Sequence, residues 1–202
     1  MIIGITGGTG CGKTTLLREI EKRGGLVLDC DAIYHELLKT DAALLAAIEA
    51  RFPGTVEHGE LQRKKLGAIV FSDEQALLDL NKITHAAIKN AVLCKLKSAP
   101  KLAAIDAIAL FEGGLAELCD VTVAVTAPTE DRVRRLMARD GISEEYARSR
   151  IAAQRDEGWF REKCGHVLVN DGELDAFRAK CVAFLQNICI MDTSIYCRRT
   201  QL

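Results

Sequence analysis

Lys13 and Thr14 close a glycine-rich run, Gly7-Gly8-Thr9-Gly10-Cys11-Gly12-Lys13-Thr14-Thr15, in which Gly7, Gly12, Lys13 and Thr14 fit the G-x-x-x-x-G-K-[ST] spacing of a phosphate-binding loop (P-loop). A cation and a hydroxyl side by side at a helix start suit a nucleotide polyphosphate. The lysine neutralises charge on the β- and γ-phosphates, and the threonine hydroxyl is a ligand for Mg²⁺. The glycines let backbone N–H groups turn inward at phosphate oxygens, and the following helix adds the positive end of its dipole. Gly8, Gly10, Cys11, Gly12, Lys13, Thr14 and Thr15 are therefore the candidate nucleotide contacts. A second set of chemistry-bearing residues is acidic. Asp29 and Asp31 end the apolar run Leu26-Val27-Leu28, and Glu112 follows the run from Ala103 to Phe111. Residues two apart on an extended strand share a face, so Asp29 and Asp31 are expected to point together, beside the loop, where ligands of open α/β sheets bind. Asp31 then acts as a catalytic base, as the N-cap of a helix beginning at Ala32, or as both.

The elements that position these residues alternate between strand and helix. Ile2–Thr6 reads as a first strand, Leu26–Asp31 as a second, Ala103–Phe111 as a nearly continuous apolar third, Val121–Val125 as a fourth and His166–Val169 as a fifth. This alternation predicts an α/β three-layer fold with a five-stranded parallel sheet. Residues 32–98 read as mostly helical, with Leu37, Leu38, Leu44, Leu45, Ile48, Leu61, Leu66, Ile69 and Val70 recurring near helical spacing. A crossover helix needs only about a dozen residues, so the segment is expected to be a helical insertion. Between the fourth and fifth strands lies an arginine-rich helical pair, Glu130 to Asp140 and Ser143 to Arg155. Acids roughly match its arginines, so most are expected in solvated ion pairs; Arg139, just before Asp140-Gly141, is the exception.

The expected domain is therefore residues 1–190, with a core of 1–31, 99–128 and 156–190, a helical insertion at 32–98 that in small-molecule kinases of similar layout holds the acceptor, and a helical pair at 129–155 that in them closes as a lid. Residues 191–202 show no periodicity and are expected to form a frayed tail. The chain of 202 residues is 49% hydrophobic, which suits a packed core. Its formal charge of −1 offers no overall field for nucleic acid or membrane, so an anionic ligand must be gathered locally. No secretory signal or apolar stretch approaching the ~18 residues of a membrane span is read, and a cytoplasmic monomer acting on small molecules is expected. The eight cysteines include no C-x-x-C pair and are expected to be reduced and scattered; Cys11, at a helix N-terminus, is a candidate reactive thiol of lowered pKa.

A phosphate loop, an insertion after the second strand and an arginine-bearing pair before the last strand make the layout of a small-molecule P-loop kinase. Several motifs in order sharpen it: Ile5-Thr6-Gly7-Gly8-Thr9-Gly10-Cys11-Gly12-Lys13-Thr14, Asp29-Cys30-Asp31-Ala32-Ile33-Tyr34-His35, Leu80-Asn81-Lys82-Ile83-Thr84-His85 and Asp106-Ala107-Ile108-Ala109-Leu110-Phe111-Glu112. With Arg135-Leu136-Met137-Ala138-Arg139-Asp140 and the isolated Gln154, they resemble the dephospho-CoA kinase family over residues 2 to 190. The resemblance implies phosphorylation of the ribose 3′-hydroxyl of dephospho-CoA with ATP and Mg²⁺. It also implies that Asp31 accepts the hydroxyl proton, that Lys13 holds phosphate, that Arg139 comes down onto ATP, and that His35, His85 and Glu112 help to hold the acceptor. The family usually has proline where this chain has Ala86 and Ile108, alanine at Cys30 and serine at Cys11. The residues taken alone leave open another small-molecule P-loop kinase, acting on a nucleoside, nucleotide or sugar, and a nucleotide-dependent switch without acceptor chemistry.

Overall fold

Ile3 and Ile5 are completely buried, on the central strand of the molecule. The computed structural model describes the backbone of residues 1–199 and the side chains to residue 188. In chain order it contains β1 (Ile2–Thr6), α1 (Lys13–Glu21), β2 (Leu26–Asp29), α2 (Cys30–Thr40), α3 (Ala42–Arg51), β3 (Val56–Glu57), β4 (Glu60–Leu61), α4 (Arg63–Val70) and α5 (Glu74–Leu96). There follow β5 (Ala103–Asp106), a 3₁₀ turn (Ala116–Leu118), β6 (Val121–Thr126), α6 (Thr129–Asp140), α7 (Glu144–Ala152), α8 (Glu157–Lys163), β7 (His166–Val169) and α9 (Leu174–Arg199).

Five strands form one sheet in the order β2-β5-β1-β6-β7, and all neighbours are parallel. Strands covered on both faces need mostly apolar side chains on both, which explains why β1 and β6 carry no charged residue and bury Ile3, Ile5, Val123, Ala124 and Val125. On one face Leu16 and Ile20 of α1 and Phe177, Cys181 and Leu185 of α9 pack against Ile3, Ile5, Val123 and Val125. On the other, Ile33 and Val92 from α2 and α5 cover Leu28 and Ile105. The sheet order puts β1, and so the loop it feeds, in the middle of the carboxyl edge.

The insertion is mostly helical as expected and carries its own apolar cluster, Leu38, Leu44, Leu45, Ile48, Phe52, Leu66, Val70 and Ala76. It also contains the small antiparallel pair β3–β4, which helical periodicity does not reveal. The Glu49 carboxylate organises that pair by accepting from the N–H groups of Gly54 and Val56, each at 2.7 Å.

Of the boundaries that differ from the sequence reading, two matter for the site. β5 stops at Asp106 instead of reaching Phe111: residues 107–115 coil back on themselves, with the N–H of Gly113 donating to Ala109 O at 2.8 Å. β2 stops at Asp29, because Asp29 caps α2 by accepting from the N–H groups of Asp31 and Ala32 at 2.9 and 3.0 Å. Asp29 and Asp31 therefore do not share a strand face, and the N-cap is Asp29 rather than Asp31. At the other end, α9 stays helical to Arg199 where a frayed tail is expected from Met191; that expectation for residues 200–202 falls outside the described residues. Among the described residues no helix is long and apolar enough to cross a membrane.

Candidate active site

The glycine loop between β1 and α1 is turned so that its carbonyls face outward, each to a named donor. Lys13 Nζ donates to Gly7 O at 2.9 Å, the Cys11 N–H to Gly8 O at 3.4 Å, Arg132 Nε to Thr9 O at 2.9 Å, Arg135 Nη1 to Gly10 O at 3.2 Å and buried Asn170 Nδ2 to Cys11 O at 2.9 Å. A peptide whose carbonyl points out has its N–H pointing in, which is the arrangement an anion needs. Gly7 sits at φ +135°, and a Cβ there would lie 2.2 Å from Val125 O of β6, so the loop presses directly on the neighbouring strand. Gly12, in the left-handed region, is the N-cap of α1 and supplies no side-chain cap, which leaves the first helical N–H groups open toward the cleft.

The cleft beside the loop is a cavity of about 470 Å³ lined by Gly8, Gly10, Gly12, Lys13 and Thr14 together with Asp31, Asp106, Arg139 and Gln154. Asp31 is exposed in the first turn of α2 and also lines a smaller adjoining cavity of about 200 Å³, with Tyr34, Thr84 and His85. It thus stands at the junction of the two. Asp29, occupied as a cap, lines neither.

Asp106 is the acidic residue that the sequence reading did not single out. It closes β5, lies in register with Asp29 of β2 and with Ile5 of β1, and its Oδ1 is buried without a hydrogen-bond partner. Burial pushes its carboxyl up to about 6; the Lys13 ammonium pulls it down, and the charges of Asp29 and Asp31 push it up. The folded-state value lies above the ordinary 3.8, so between those values the folded chain binds more proton than the unfolded one. Stability therefore declines as pH rises from about 4 to about 6. Asp106→Asn in the ligand-free protein should be more stable than the parent at pH 7.5, by on the order of 2 kcal/mol, with the advantage fading toward pH 4. Thermal melts of both proteins across that range are the check, and a difference that does not change with pH would mean that Asp106 is not an uncompensated carboxylate.

Of the arginines on α6 and α7, Arg134 and Arg148 make exposed ion pairs, as expected. Arg132 and Arg135 do not: they turn inward to the loop carbonyls, a role their spacing alone does not distinguish from a solvated face. Arg139 lines the cleft but is held by Asp140, with Nε–Oδ1 at 2.6 Å and Nη2–Oδ2 at 3.0 Å, and Arg150 shares the same carboxylate at 2.8 Å. These contacts hold Asp140 down at about 2 and raise the Arg139 guanidinium.

On the acceptor side, His85 is half-buried and borders both the smaller cavity and a groove of about 680 Å³ that also contains Leu77, Asn81 and Glu112. Burial holds its imidazole below the usual range, partly opposed by Glu112. Glu112 reaches Arg155 at 3.5 Å, and that guanidinium lies over the Trp159 ring. His35 is not brought to these cavities; it is exposed beside Arg63, whose Nη2 lies 3.3 Å from its Nδ1. Thr15 and Cys11 do not line the cleft. Cys11 is buried in the core against α9, and burial raises its thiol pKa despite nearby Arg132 and Lys13, which corrects the expectation of a reactive thiolate.

Among the described residues no three His, Cys, Asp or Glu side chains form a metal cage. Magnesium does not require one, because it is usually held by one or two protein oxygens together with substrate phosphates and water. The exposed Thr14 and the Asp106 carboxylate, which line the same cleft, fit that kind of site.

Comparison with known proteins places the fold and the family of the chain. The profile of the family described as dephospho-CoA kinase matches residues 1–176. The dephospho-CoA kinase of Latilactobacillus sakei is 32% identical over 192 residues, spanning 93% of this chain and 95% of that one. That of Corynebacterium diphtheriae is 36% identical over 180 residues, or 86% and 90% of the two chains. Among solved structures, dephospho-CoA kinase from Campylobacter jejuni superposes with a TM-score of 0.67 at 27% identity, over 93% of this chain and 96% of that one.

Proposed function

The chain belongs to the dephospho-CoA kinase family and transfers a phosphoryl group from ATP to dephospho-CoA, and we propose that Asp31, Lys13 and the amides of the glycine loop carry the transfer. The observation that carries this assignment is the position of Asp31, which borders both the loop cavity and the smaller cavity beside it. A base there can face a hydroxyl entering from one side and a γ-phosphate held on the other.

In this reading the ribose 3′-oxygen forms the new bond to the γ-phosphorus while the bond to the β–γ bridging oxygen breaks. ADP leaves with that oxygen, and the hydroxyl proton passes to Asp31. Lys13 exchanges its contact with Gly7 O for the β- and γ-phosphate oxygens. Phosphoryl transfer asks a protein for positioning and charge stabilisation, and a carboxylate base assists a weakly nucleophilic sugar hydroxyl. Thr14 would hold Mg²⁺ together with the nucleotide, with Asp106 near it; the ion supplies neutralisation of the phosphate charge. His85 and Glu112 orient the acceptor from their groove, and His35 approaches it only if the insertion moves. α6 and α7 form a lid, and Arg139 leaves Asp140 for the triphosphate when that lid closes. A closed lid keeps water from competing with the acceptor. The same reading makes the enzyme a cytoplasmic monomer whose partners are its two small substrates.

The test uses dephospho-CoA beside its 3′-deoxy analogue. The parent substrate should release ADP in Mg²⁺-dependent fashion and gain a phosphate at the ribose 3′-oxygen, identified by phosphorus NMR of the product, while the analogue should release ADP only at the rate seen without acceptor. Equal ADP release with the analogue would remove the 3′-hydroxyl from the reaction.

A further inference from the structure

Gln154 lies in the turn after α7, half-buried, and borders both the loop cavity and the groove that holds His85 and Glu112. Its Oε1 accepts from the Thr9 N–H at 2.8 Å and from Arg132 Nη2 at 3.0 Å, while Arg132 Nε donates to Thr9 O at 2.9 Å. Thr9, Arg132 and Gln154 thus close a ring of hydrogen bonds that ties the α6–α7 segment to the phosphate loop. A Cβ at Gly8 would stand 2.3 Å from Arg132 Nη2 and 2.9 Å from Gln154 Oε1, so a glycine is what lets these side chains come this close.

The chemistry of the ring settles which way the carboxamide faces. A backbone N–H and a guanidinium can only donate, so the side-chain carbonyl must take both. The NH₂ end is left over. Among the described residues it makes no hydrogen bond, although two donors are held rigidly at the wall between the nucleotide cavity and the acceptor groove. The loop cavity, which Gln154 shares with Asp31 and Lys13, is where the γ-phosphoryl group is held, with negatively charged equatorial oxygens. Arg132 spends its Nε and one Nη2 hydrogen on Thr9 O and Gln154 Oε1, and its remaining N–H groups can act beside the carboxamide.

We propose that Gln154 is a further catalytic residue, whose carboxamide N–H donates to an oxygen of the phosphoryl group as it passes from nucleotide to acceptor. It exchanges no proton and no electron pair; the bonds made and broken remain those of the transfer described above, on which this inference rests. The Thr9 N–H, by the same geometry, is taken by the protein and is not one of the amides that greet the triphosphate. With the Cys11 N–H also turned to Gly8 O, the loop offers its phosphates two backbone donors fewer, and the glutamine supplies a donor in their place.

Two substitutions separate a donor from a brace. Gln154→Glu keeps both accepting contacts, with a stronger pair to Arg132, but removes the N–H donors; Gln154→Leu removes donors and contacts together without adding charge. With both substrates saturating, kcat for CoA formation should fall by on the order of 10²-fold in both, the usual loss when one donor to a transition-state oxygen is removed. The melting temperature of Gln154→Glu should stay near that of the parent, and the affinity of Gln154→Leu for ATP should change much less than its kcat. A Gln154→Glu enzyme that turns over within about threefold of the parent would overturn the proposal and leave only a brace, whatever Gln154→Leu does. So would a fully active Gln154→Leu. If Gln154→Leu does not fold, Gln154→Glu decides alone. The parent enzyme run in parallel keeps the two readings apart: its failure to make CoA would speak against the transfer reaction, whereas loss in the variants alone speaks only to Gln154.

Discussion

Asp31→Asn should lower kcat for CoA formation by on the order of 10²-fold or more while leaving ATP affinity within about threefold of the parent. The amide keeps the size of the side chain and its place in the first turn of α2, so the substitution removes a proton acceptor and little else. The neighbouring carboxylate provides the internal contrast. Asp29 caps α2 through Asp31 N and Ala32 N and lines neither cavity, so Asp29→Ala should cost about 1 kcal/mol of stability and much less of kcat. Steady-state kinetics on both variants, with nucleotide affinity measured separately, divide the two acids. Should Asp31→Asn turn over at the parent rate, or should Asp29→Ala lose more of kcat, Asp31 is not the base.

Gly7→Ala is the second large effect, and it acts through the backbone. The residue combines φ +135° with a would-be Cβ 2.2 Å from Val125 O and 3.1 Å from Val125 N. Both are main-chain atoms of β6, which is paired to β1 over Val121–Ala124 and to β7 at Val125, so no side chain can swing away to make room. Either the loop leaves its position or the strands part. A loss of stability on the order of 3 kcal/mol or more is expected, with ATP binding abolished, read by thermal melting and by nucleotide titration. Gly24→Ala is the control: its φ is +73° but a Cβ there meets nothing within 4 Å, so only the cost of an unfavourable dihedral remains, about 1 kcal/mol. Comparable melting of the two variants would mean that the contact between Gly7 and β6 does not exist in solution.

The phosphate loop and the parallel sheet were legible in the sequence because each depends on local pattern: glycine spacing before a helix, and strands apolar on both sides. The acids were harder. Periodicity carries an apolar run onward to Phe111, but the strand ends where its hydrogen bonds end, at Asp106, and only that boundary shows Asp106 to be the carboxylate at the sheet edge. Likewise the interval from Asp29 to Asp31 has the spacing of two residues on one strand face, yet Asp29 caps a helix that starts immediately and the two side chains part. Arg132 and Arg135 read as surface charges because their partners are backbone carbonyls in a loop more than a hundred residues away, which residue type does not encode. His85 and His35 follow from the resemblance and not from residue pattern; His85 lies at the cavities, and His35 stands beside Arg63 outside them.

The outward carbonyls of the glycine loop have a consequence for how binding free energy is spent. A glycine-rich segment is the part of a chain with the most conformational entropy to lose, and here Arg132, Arg135 and Asn170 hold it in one shape through contacts that the protein itself supplies. The cost of ordering the loop is met by folding and not by the ligand. Contacts to the triphosphate then appear as affinity with little deducted for rigidifying the protein, which is how a flexible sequence can behave as a stiff receptor.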